Sequence, residues 1–233
     1  MPFECEHGAA CHDGTEPAAA SAPEASRAWL LIEHPGPWPP EAVDAELPPP
    51  LRDLVTEAAA RGVRVQLIRR PGRRAALGEE RTVLTGWTAG DEPWLRRGVV
   101  GSSVELDVAA LSAGRAVSFG SPAAEPVFLV CVHAKRNACC ARFGVPLAQA
   151  LAERYPGQVW ETTHVGGHRY AANLVLLPHG LYYGPVDVPL AAAAIDAYQH
   201  GVTAPDRYRG RAGQPRAAQE AEHALLAEAE FLG

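Results

Sequence analysis

Twice along this chain an almost wholly apolar run leads into a helix-patterned stretch and then into three more strand-like runs. The first series opens with AWLLIEH, residues 28–34, an apolar run suited to a buried strand. PGPWPP, residues 35–40, breaks the chain, and residues 50–61 then carry Leu51, Leu54, Val55 and Ala58 at helical spacing, with Gly62 placed to stop the helix. VRVQLIR, RTVLTGW and WLRRGVV read as strands, and LDVAALSA, residues 106–113, as a short helix. The second series opens with VFLVCV, residues 127–132. A loop and a helix near Val145–Tyr155 follow, ended by Pro156-Gly157. QVWET reads as a strand, NLVLLP with GLYYG as a hairpin, and residues 189–200 as a closing helix.

Both series read β-α-β-β-β-α, the minimal order of a thioredoxin-like unit, although residue identity between them is negligible. The expected fold is therefore α/β and thioredoxin-like, with two consecutive β-α-β-β-β-α units over residues 27–120 and 126–201. SFGSPAAEP, residues 118–126, is the expected linker. Residues 1–26 lack periodicity and are expected to form a flexible arm carrying Cys5 and Cys11. Residues 202–233 form a tail ending in a helix, docked through Leu225, Leu226 and Phe231.

A chain of 233 residues with 47% hydrophobic content can bury a substantial core. No stretch approaches the ~20 apolar residues of a membrane span, and MPFECEHGAACHDG lacks the basic and apolar regions of a signal peptide. A cytoplasmic protein without a membrane partner is expected. Net charge is -6 with no long basic block, which speaks against a nucleic-acid partner. Five cysteines in such a chain suggest metal or redox chemistry rather than a disulfide framework.

Two motifs carry that chemistry. CVHAKRNACC places Cys131 at a strand end, with Cys139 and Cys140 beyond a loop containing Lys135 and Arg136. THVGGH places His164 and His168 across Val165, Gly166 and Gly167. On a helix that spacing would align both rings, but a Gly-Gly centre is a poor helix interior, so a tight loop before the next strand is expected. Cysteines and histidines thus converge at one end of the sheet. Zinc accepts two cysteines with two histidines, although finger spacings are far shorter than the eight residues between Cys131 and Cys140. A thiol–disulfide enzyme would pair Cys131 with Cys139 or Cys140, without the usual Cys-x-x-Cys. An iron–sulfur cluster takes the same donors and tolerates long spacing. A buried structural Cys131 and a chance Cys-Cys pair are the bland readings.

The chain resembles the sucrase/ferredoxin-like family, a branch of the thioredoxin-like [2Fe-2S] ferredoxins. WLLIEHPGPW, CVHAKRNACCARFGVPLA, THVGGHRYAANLVLLPHGLYYG and DRYRGR carry the resemblance, which covers most of the chain. It implies a [2Fe-2S] cluster bound by Cys131, Cys140, His164 and His168, with Cys139 outside the ligand set. The implied function is electron transfer with a redox partner protein, a reductase or acceptor, rather than catalysis. No glycosidase carboxylate pair is supported by any motif. Two neutral imidazoles in place of two thiolates raise the expected potential above that of all-cysteine ferredoxins and couple electron uptake to protonation. His133 is expected either beside the ligands or exposed, rather than among them. Lys135, Arg136 and Arg169 either stabilise the reduced state, dock an acidic partner or simply face solvent; Trp160, Tyr170 and Asn173 are packing and loop-fixing residues.

Overall fold

Each apolar run read as a strand is one. The computed structural model describes residues 19–72, 80–101 and 103–232. Its strands are β1 (Ala28–Glu33), β2 (Arg64–Arg69), β3 (Arg81–Trp87), β4 (Trp94–Val100), β5 (Ser121–Pro122), β6 (Val127–Cys131), β7 (Val159–Thr162), β8 (Leu174–Leu177), β9 (Leu181–Tyr183) and β10 (Tyr208–Arg211). The helices are α1 (Pro49–Ala60), α2 (Val108–Ser112), α3 (Ala138–Arg154), α4 (Val188–Gln199) and α5 (Arg216–Leu232).

The strands form one ten-stranded sheet in the order β10-β9-β8-β6-β7-β2-β1-β3-β4-β5. β1 and β2 are parallel, as are β6 and β7, and α1 and α3 supply the crossovers that parallel neighbours require. The remaining neighbours are antiparallel. The fold is mixed α/β and broadly thioredoxin-like. The expected pair of self-contained β-α-β-β-β-α units gives way to a shared sheet, because β2 and β7 pair directly and β5 and β10 extend its flanks.

The β2–β7 seam is short, with Ile68 opposite Thr162 and Arg69 opposite Glu161. Arg69 Nε lies 2.6 Å from Glu161 Oε2, both largely buried. The two strands overlap only near their C-terminal ends. The loops that follow β1 and β6 therefore meet over the seam, and this junction positions the site.

Side-chain alternation divides the core between two faces. Leu30 and Ile32 of β1, with Phe128 and Val130 of β6, join the buried residues of α1, α2 and α4 and the body of α3. Trp29, Leu31, Leu129 and Cys131 point to the other face, packed with Val165, Val175 and Tyr182.

Several boundaries differ from the sequence reading. Residues 20–26 are not a free arm: the Ser21 N–H donates to the Arg209 carbonyl at 2.7 Å, and Ala22 is buried. Cys5 and Cys11 lie outside the described residues. α3 begins at Ala138 rather than Val145, because the Asn137 side chain caps it, and Pro146 lies inside the helix. The expected linker contributes β5, pinned to β4. α5 docks through Gln219 and Leu226, whereas Leu225 is exposed; the Phe231 side chain lies outside the described set. Among the described residues, no helix is long and apolar enough to cross a membrane.

Burial also makes the fold sensitive to mild acid. His34, His179 and His223 are all held below the ordinary histidine value of 6.5, first by burial; Arg81 and Arg211 add repulsion at His34 and His179. Below that value the unfolded chain binds protons that the folded chain refuses, so stability falls as pH drops through about 6.5. The urea midpoint should be lower at pH 5.5 than at pH 7.5. A His179→Gln variant should lose less between these pH values.

Candidate metal centre

Cys131 is the last residue of β6, on the face away from the helix layer, and is fully buried. The chain then turns through 132–137 into α3. Asn137 Oδ1 accepts the Cys139 N–H at 2.9 Å, and the Asn137 carbonyl accepts the Cys140 N–H at 3.1 Å. This first turn directs Cys140, also fully buried, toward Cys131. The approach requires Gly144, where a Cβ would stand 2.0 Å from the Cys131 carbonyl oxygen.

His164 comes two residues after β7, held through its backbone. Its carbonyl accepts from Arg64 Nη2 and Gln66 Nε2, each at 3.2 Å. Its N–H donates to His133 Nδ1 at 3.2 Å. His133 must then carry its proton on Nε2, which lies 2.8 Å from the Pro39 carbonyl. Burial lowers the His133 pKa, in keeping with this neutral tautomer. The loop after β1 thus braces the loop after β7 through one imidazole. Trp38 reinforces the contact edge-on to His133, with centroids 6.0 Å apart, and Arg136 of the cysteine loop pairs with Glu41.

Gly166 (φ +96°) and Gly167 (φ +67°) then turn the chain into a short 3-10 segment, His168–Tyr170. Gly167 has a second reason to be glycine. A Cβ there would meet Arg209 Nη2 at 2.3 Å.

The result is a tight donor group. Cys131 Sγ, Cys140 Sγ and His164 Nδ1 all lie within 4.8 Å of one another. Nδ1 is 3.7 Å from Cys140 and 4.0 Å from Cys131. The Cys131 thiol is held well below the usual range, first because Cys140 hydrogen-bonds to it and then by His164, against the effect of burial. The same hydrogen bond and burial push Cys140 up. Two close, buried thiols beside an imidazole suit a thiophilic ion such as iron or zinc. The residues fit a bound metal.

The ring of His168 lies 6.2 Å from that of His164, tilted by 38°, and is half-buried like it. His168 is therefore a neighbour of the donor group but not within it. Cys139, half-buried, is also outside the group.

The sequence family described as sucrase/ferredoxin-like matches residues 20–210. The chain belongs to the sucrase/ferredoxin-like family. Comparison with curated proteins and with solved structures gave no match. As a sucrase/ferredoxin-like protein, it carries its Cys-Cys-His group in two of the motifs by which the sequence resembles that family.

Sequence reasoning missed Gly144, the His133 brace and the roles of Gln66 and Arg209. Asn137, a good cap residue just before the vicinal cysteines, was a readable signal for the earlier start of α3. The other four depend on contacts distant in sequence and leave no local pattern.

Proposed function

We propose that this protein is an electron carrier that holds a [2Fe-2S] cluster through Cys131, Cys140, His164 and His168 and exchanges electrons with a redox partner protein in the cytoplasm. The observation that carries the reading is the convergence of Cys131, Cys140 and His164, with a second imidazole 6.2 Å beyond the first. A bound cluster would supply one-electron chemistry.

The chain's own residues divide the remaining work. Cys131 and Cys140 form the dry inner side, where burial keeps water from the sulfurs. His164 and His168 form the outer, half-buried side, where a partner approaches. His164 turns Nδ1, not Nε2, toward the thiols. Residues 126–201 carry the ligands, and residues 27–120 act as the shield. Pro39 and Trp38 on His133, and Glu41 on Arg136, support that division. A thiol–disulfide enzyme fits less well, since both thiols of the close pair are inaccessible to a substrate disulfide.

One observation favours a second reading. Separations of 3.7 and 4.0 Å between donor atoms approach the edge of a single tetrahedral site with Zn–S about 2.3 Å and Zn–N about 2.0 Å. That arrangement would make the protein a zinc-stabilised binding module. Metal analysis of aerobically purified protein separates the two. Red-brown protein with about two irons and two sulfides per chain is expected; colourless protein with one zinc supports the second reading.

His168→Cys tests the second imidazole. A coloured cluster with a lower potential and a flatter dependence of potential on pH is expected. An unchanged potential and slope would remove His168 from the ligand set.

A further inference from the structure

Behind the histidine loop lies a buried cation with no acidic partner among the described residues. Arg209 of β10 is only 1% exposed, among the most buried large side chains of the protein. Its Nε donates to Ser21 Oγ at 3.0 Å and Nη2 to the Ser21 carbonyl at 2.9 Å. Nη1 donates to Asn173 Oδ1 at 2.5 Å and reaches the Gly166 carbonyl at 3.5 Å. Its guanidinium carbon lies 4.6 Å from the ring centroid of Tyr170 and 5.5 Å from that of Tyr182. Every acceptor is neutral. The ion pairs among the described residues include other arginines, but Arg209 has no carboxylate. Burial lowers its pKa to about 10, which leaves it charged at neutral pH.

Burying a charge without a counter-ion is costly, and a neutral side chain of similar size would fill the space more cheaply. The neighbours indicate what offsets the cost. Asn173, which accepts from the guanidinium, also accepts the Cys131 N–H on its carbonyl at 3.1 Å and donates its side-chain amide to the Gly167 carbonyl at 3.0 Å. One residue therefore links Arg209 to Cys131 and, beside its direct contact, to the turn that presents His168. The guanidinium also lies directly against Gly167, where no Cβ fits.

We infer that Arg209 is the fixed counter-charge of the centre, a positioning residue that shapes the Gly166–Gly167 turn and favours the state with the added electron. This rests on the cluster reading above. An added electron places negative charge on the site, and an unpaired interior cation attracts it with little screening. Neutralising that cation makes the electron harder to add.

The test is a redox titration of the purified holoprotein, followed by visible absorbance, with iron and sulfide measured on every sample. Arg209→Met is expected to lower the reduced-to-oxidised ratio at the wild-type midpoint at least tenfold, about 59 mV for a one-electron couple. Arg209→Lys, which keeps the charge, should restore most of it. Ser21→Asp leaves the guanidinium in place and gives it a carboxylate partner, so it should shift the potential the same way even if Arg209→Met does not fold. Wild-type potential in cluster-loaded Ser21→Asp or Arg209→Met overturns the inference while leaving the cluster reading intact. Wild-type protein without iron sinks both.

Discussion

Cys140→Ala protein should emerge from purification without its metal, whereas Cys139→Ala protein should keep it. The two cysteines are adjacent in sequence but occupy different environments. Successive residues of a helix project about 100° apart, so only one of them can face Cys131. Cys140 is fully buried against Cys131 and His164; Cys139 is half-buried and outside the donor group. Loss of a hydrogen-bond partner to a ligand typically costs 10–100-fold in metal affinity, and loss of the ligand itself should exceed roughly 100-fold. Metal analysis after exposure to a chelator reads the difference. Loss of metal from the Cys139 variant with retention in the Cys140 variant would move the ligand assignment by one residue.

Gly144→Ala should be nearly as damaging, although it touches no donor atom. Alanine is ordinarily the better helix residue by about 1 kcal/mol. Here its methyl group would stand 2.0 Å from the carbonyl oxygen of Cys131, a backbone atom that no rotamer change can move aside. α3 must then shift away from the end of β6, carrying Cys140 with it. Overpacking of this kind costs about 1–3 kcal/mol, so the net change in the urea midpoint should be destabilising despite the gain in helix propensity. The metal content of folded protein should fall as well. Native stability with full metal content would mean that α3 tolerates displacement and that the close approach is incidental.

What could be read in advance reflects how local each determinant is. The strand runs and the helices near residues 50–61 and 189–200 follow from apolar periodicity over short windows, and the structure bears them out within a residue or two. Cys131, Cys140 and His164 were legible because their residue types are chemically unusual and their motifs are long. The start of α3 was misplaced because Pro146 looks like a first helical residue, whereas the Asn137 cap lies nine residues earlier. β10 went unread because YRGR has almost no apolar content; its burial comes from α5 and the segment around Ser21. The sharing of one sheet rests on two residue pairs between β2 and β7, too short a seam to leave a pattern.

The backing of the histidine loop has a consequence for biosynthesis. Ser21 and Arg209, 188 positions apart, grip each other behind Gly166 and Gly167. While the ribosome is still adding residues beyond His168, all four ligand candidates already exist, yet the side chain that supports their loop has not been made. A nascent chain can therefore present thiols and imidazoles but cannot hold them in their final arrangement until β10 has emerged and closed on the segment around Ser21. Truncation before Arg209 should therefore yield protein that contains every donor atom and retains no metal.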